Sequence, residues 1–106
     1  MRNTLKSGQI RTIIFKEGAL WYGVALDLNI VESGNDPREV MLMLDEAIRG
    51  YIETASKFNT SEKVLNQKTD PEFEKLWARV QNNKPVKSPT KIYSFGVFSL
   101  PSLKLA

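Results

Sequence analysis

The sequence predicts an α+β fold: an antiparallel β-β-β sheet with one long helix packed on one face, a short second helix and a C-terminal strand. Three observations carry that expectation. Residues 10–16, 20–28 and 92–100 alternate with the two-residue period of a strand. Asp36-Pro37 opens a stretch whose apolar residues recur every three or four positions, and a second Asp-Pro pair, Asp70-Pro71, opens a shorter one. The 106-residue chain is 42% hydrophobic and 25% charged, which suits one core and disfavours wholesale disorder.

The elements follow in order. Residues 1–9 are polar and basic and read as a flexible lead-in. In the first strand Ile10, Thr12 and Ile14 share one face, and Arg11, Ile13 and Phe15 the other. Apolar residues on both faces predict a central strand or one covered on both sides. Glu17-Gly18-Ala19 is a turn in which Gly18 can take positive φ without a Cβ clash. Leu20 to Leu28 resumes as the second half of a hairpin, with Leu20, Tyr22, Val24, Leu26 and Leu28 in phase. Ile30 to Ser33 is a third strand ending at Gly34-Asn35.

Asp36 then supplies an N-cap, Pro37 suits the first helical position, and Glu39 stands where a capping box places a carboxylate. Val40, Leu44, Ala47, Ile48, Tyr51 and Ala55 form the apolar stripe, and Met41, Leu42, Met43 and Ile52 widen it. So wide a stripe predicts cover on more than one side, with the helix ending near residues 57–59. Residues 10–58 thus form a β-β-β-α core. Residues 59–106 complete the same domain with a polar linker (60–69), a short helix marked by Phe73, Leu76, Trp77 and Val80, and a loop (82–91). The last strand follows, with Ile92, Ser94, Gly96, Phe98 and Leu100 opposite Tyr93, Phe95, Val97 and Ser99. Pro101 ends it, leaving an apolar-leaning tail, Ser102 to Ala106.

Composition prunes the chemistry. The chain has no histidine and no cysteine. Serine-triad hydrolases, cysteine enzymes and thiolate or imidazole metal sites therefore lack their residues, and only carboxylate, lysine or tyrosine chemistry remains. No apolar run approaches a membrane span of ~20 residues and residues 1–9 contain no apolar signal core, which predicts a cytoplasmic protein. The net charge of +3 is unevenly spread: residues 27–53 hold seven of the twelve acids but only Arg38 and Arg49 of the fifteen bases. An acidic middle suits a basic protein partner, whereas basic flanks suit phosphates.

The order and spacing of residues 13–53 resemble the core of HicB antitoxins. The features shared with that family are the Glu17-Gly18 turn, Trp21-Tyr22-Gly23-Val24-Ala25, and Leu26-Asp27-Leu28-Asn29-Ile30-Val31-Glu32-Ser33-Gly34. Asn35-Asp36-Pro37-Arg38-Glu39 and Glu46-Ala47-Ile48-Arg49-Gly50-Tyr51-Ile52-Glu53 continue it. The resemblance implies a partial ribonuclease-H-like fold and a non-catalytic domain that masks a small basic mRNA-cleaving HicA-type toxin. Such toxins rely on a histidine, so this chain is not the toxin. Residues after Lys57 show neither the helix pair of a helix-turn-helix nor a strand followed by two helices, which leaves the family's DNA binding without a reading element.

On that reading Glu32, Asp45, Glu46 and Glu53 are the candidate contacts to a cognate HicA-like toxin, and no cofactor, metal or catalytic residue is expected. Trp77 with Phe73 is either a further partner anchor or a lid that closes the core over the main helix. The last strand, if it lies at an edge, predicts a homo-oligomer, and an orphan HicB-like oligomeric module without a toxin is an alternative to the antitoxin reading. Two alternatives stand beside this. Lys84, Lys87 and Lys91 near Tyr93 and Phe95 could bind nucleic acid as a regulator's basic patch. A metal-dependent hydrolase would need three or four converging carboxylates, whereas the three predicted core strands offer only Asp27 and Glu32.

Overall fold

The structure is a computed structural model that describes residues 2–58, 61–86 and 90–101. It contains strands β1 (Gly8–Glu17), β2 (Leu20–Ala25) and β3 (Ile30–Gly34), helices α1 (Pro37–Lys57) and α2 (Pro71–Gln81), and strand β4 (Lys91–Leu100). The fold is α+β. The four strands form one antiparallel sheet in the order β3-β2-β1-β4, which makes β1 central and leaves β3 and β4 at the edges.

Both helices start at their Asp-Pro pairs, but Glu39 makes no return bond to the Asp36 amide, so the expected capping box is reduced to a simple N-cap. The Asp36 carboxylate accepts from the Arg38 amide at 2.8 Å, and that of Asp70 from the Glu72 amide at 2.9 Å. Each cap satisfies an amide that would otherwise point out of the first turn. From α1, Val40, Leu44, Ile48 and Ile52 are buried against Ile10, Ile14, Ala25 and Leu28. Burial of each such large side chain is worth about 1.5–3 kcal/mol.

Trp77 does not close over α1. Phe73, Leu76, Trp77 and Val80 pack on the opposite face of the sheet, against Ile13, Phe15, Val24 and Leu26. The expected lid over the main helix is corrected to a second core, so the sheet is sandwiched between α1 and α2. The cause is visible in β1, whose odd and even positions are both apolar and require cover on both faces.

Four local differences have identifiable causes. The second strand stops at Ala25, because Leu26–Leu28 is a 3-10 turn closed by Asn29 at φ 54°. Asparagine tolerates that left-handed conformation, and the reversal lets Ile30 pair with Ala25. In β4 the register shifts beside Ile14/Phe15, so Ile92 joins the α2-side core while Tyr93 meets Trp21 on the α1 side. A uniform alternation through residues 92–100 is therefore corrected by one bulge.

The expected flexible lead-in is partly anchored. Asn3 is 4% exposed; its side chain donates to Leu65 O at 3.0 Å and accepts from the Gln9 amide at 2.8 Å. The expected polar linker contributes too: Glu62–Leu65 is a 3-10 turn, Leu65 is buried, and Tyr51 Oη donates to Val64 O at 2.7 Å. The wide apolar stripe of α1 thus gains cover near Tyr51. Met41, Leu42 and Met43 remain 41%, 64% and 40% exposed, although Met41 borders β4, its Sδ 3.9 Å from Ser94 Oγ. The tail Ser102 to Ala106 lies outside the described residues.

Candidate functional site

The outward surface of α1 gathers most of the candidate residues. At about 100° per residue, positions seven apart drift by only ~20° on a helix. Glu39, Glu46 and Glu53 therefore stand in one line, and all three are exposed. Among the described residues no cation lies within ion-pair range of them. Leu42 and Met43 flank the same line, so α1 presents carboxylates and apolar side chains together on a regular element whose inner face is fixed in the core.

Asp45 is turned about a quarter of the way round the helix from Glu46. Its carboxylate accepts from Arg49 Nε at 2.9 Å, and the Arg49 guanidinium lies 5.1 Å from the centre of the Phe98 ring. Half exposed and four residues apart, that pair contributes only about 0.3–0.5 kcal/mol to stability. Asp45 is thus partly neutralised and lines a groove between α1 and β4 with Met41, Leu44, Ile48, Ser94 and Phe98. Glu32 is half-buried on β3, opposite Gly23, which puts it on the α1 side of that edge strand. Trp77 is 7% exposed, on the far side of the sheet, with its ring edge-on to Phe95 at 5.9 Å. Glu46 and Glu53 are thus brought together, Asp45 is next to Glu46 on the same helix, Glu32 stands apart on β3 on the same side of the sheet, and Trp77 is on the other side.

Two features escape a reading of the sequence. One is the role of Glu39 in the acidic line, although the seven-residue spacing is its signal. The other is a clamp around Arg11, whose Nη2 meets Asp27 Oδ1 at 2.8 Å and whose Nη1 meets Glu74 Oε1 at 2.7 Å. Trp77 lies 6.0 Å beneath the same guanidinium. The hydrogen bonds to Glu74 and then Asp27 raise the pKa of Arg11 above its ordinary value, against the opposing effect of burial. Asp27 is consequently committed to a fixed cation. Among the described residues no group of three or more histidine, cysteine, aspartate or glutamate side chains is placed to hold a metal ion.

The two aromatic residues of the alternative reading's patch do not share a face. Tyr93 packs against Trp21 on the α1 side of the sheet, and Phe95 packs against Trp77 on the α2 side. Lys84 and Lys91 are exposed, while Lys87 lies outside the described residues. No helix among the described residues is long and apolar enough to cross a membrane.

Comparison with known proteins returns no matching family profile, no matching curated protein and no matching solved structure.

Proposed function

We propose that this chain is a non-catalytic, cytoplasmic protein-binding domain of the HicB antitoxin type, with a partial ribonuclease-H-like fold, that masks a small basic RNA-cleaving toxin. One observation supports this most: the exposed line Glu39, Glu46 and Glu53 on α1, with no ion-pair partner among the described residues and with Leu42 and Met43 beside it. Carboxylates without intramolecular cations steer a basic partner in and set its orientation. The apolar side chains supply area that is removed from water on contact. Glu32, half-buried on β3, and Asp45, partly neutralised by Arg49, are secondary contact candidates. The mechanism is steric and electrostatic, and no bond is made or broken.

The test is co-expression with the product of whichever small gene neighbours this one in its genome. The expected result is a stable complex whose formation relieves growth arrest caused by the partner. No complex, with growth arrest unrelieved, rejects the reading.

A further inference from the structure

The two edges of the sheet are treated very differently. The β3 edge is five residues long and carries Glu32 and Gly34 within it. The β4 edge is ten residues long, with Lys91 at its first position as its only charge. Short strands and charges blunt an edge, whereas a long uncharged one is a template for another strand. Tyr93, Phe95 and Val97 are 43%, 49% and 47% exposed along it.

The direction of the free backbone groups follows from β1. The Arg11 amide donates to Asp27, on the β2 side, and the Gln9 amide donates to Asn3, so neither points at β4. Arg11 is opposite Val97, Gln9 opposite Ser99 and Ile13 opposite Phe95. Antiparallel pairing alternates, so the N–H and C=O groups of Phe95, Val97 and Ser99 point away from β1, to the open edge. Among the described residues nothing pairs with them.

We propose that this edge pairs antiparallel with the β4 edge of a second copy of the chain, about a two-fold axis at Gly96, making a continuous eight-stranded sheet. In that register Phe95 is opposite the second copy's Val97, an aromatic–β-branched pair of the kind that favours sheet formation. On the other face Ser94 stands opposite Phe98, small against large, and Gly96 opposite Gly96. The two Lys91 side chains fall at opposite ends, so the strand's sole charge does not repel its copy. The acidic line of α1 takes no part, so self-pairing is independent of the binding surface proposed above. One strand edge and three half-exposed side chains fall short of the ~800 Å² per partner of a standard interface. The dimer is therefore reversible and concentration-dependent.

The experiment is sedimentation velocity on the full chain from 1 µM to 1 mM (roughly the range in which a small interface associates), with three variants. Val97→Pro removes an outward N–H that β1 does not use, and Val97→Lys adds an edge charge. Each is expected to weaken dimerisation at least tenfold while circular dichroism stays unchanged. The third is Gly96→Cys, where a Cβ meets nothing within 4 Å and which introduces the chain's only thiol. Opposed positions of this non-hydrogen-bonded kind lie ~4.5 Å apart between Cα atoms, within disulfide reach, so mild oxidation is expected to cross-link the dimer. A wild-type chain that stays monomeric at 1 mM overturns the proposal. So does a dimer unaffected by both folded Val97 variants, or one in which Gly96→Cys does not cross-link.

Discussion

Arg11 and Asp27 are joined through both backbone and side chain: the Arg11 amide donates to Asp27 Oδ2 at 2.9 Å, and its Nη2 donates to Oδ1 at 2.8 Å. Their side chains are 28% and 16% exposed, so losing one partner strands a partly buried charge. Arg11→Met is expected to cost about 2 kcal/mol in urea unfolding, a fall in Tm of roughly 10 °C for a domain of this size. Glu74, at 44% exposure, holds the same guanidinium from the solvent side, and Glu74→Gln should cost less than ~1 kcal/mol. Equal losses for the two would refute this ranking.

Gly23 is where β2 passes under α1. A Cβ there would stand 2.9 Å from Val40 Cγ1 and 3.0 Å from Ile14 Cδ1. Gly23→Ala should therefore push the helix off the sheet and destabilise by about 1–2 kcal/mol, despite the usual gain from removing a glycine in a strand. Thermal unfolding reads the sign directly.

Asn3 ties the chain start to the segment before α2. Asn3→Ala would leave Leu65 O and the Gln9 amide without their side-chain partner, at about 1–3 kcal/mol. Amide hydrogen exchange should quicken first in residues 2–9 and 62–66, and unchanged protection there would count against the anchor.

Trp77 separates a core role from a partner role. Its indole is enclosed by α2, β1 and Phe95, so Trp77→Ala should destabilise by about 3–5 kcal/mol and loosen α2 from the sheet. Trp77→Phe should restore much of that stability. If Trp77→Ala instead unfolds at the wild-type midpoint, the ring lies outside the core.

How much of this was legible depends on how local each signal is. Asp36-Pro37 and Asp70-Pro71 announce helix starts within three residues, and both caps form. The alternation of β1 announced two covered faces, but not that α2 supplies the second, because nothing local to Phe73 or Trp77 says which layer they join. The phase error in β4 came from a bulge that depends on pairing with β1. The Arg11 clamp was invisible for a similar reason, since it brings together residues 16 and 63 positions apart through a 3-10 turn that ends β2 early. Within the acidic candidates, Glu46 and Glu53 could be placed on one helix from the sequence. The neutralisation of Asp45 by Arg49 needed only their four-residue spacing.

The outer face of α1 is the surface proposed to bind a small basic protein. The most direct measurement is calorimetric titration of the co-purified partner with wild-type chain and with Glu46→Lys/Glu53→Lys. Both positions are exposed surface, so the double variant should unfold within about 0.5 kcal/mol per site of wild type. Its affinity is expected to drop at least tenfold, and wild-type affinity to fall as salt rises. Undiminished binding by the folded double variant, with no dependence on ionic strength, would contradict the proposal.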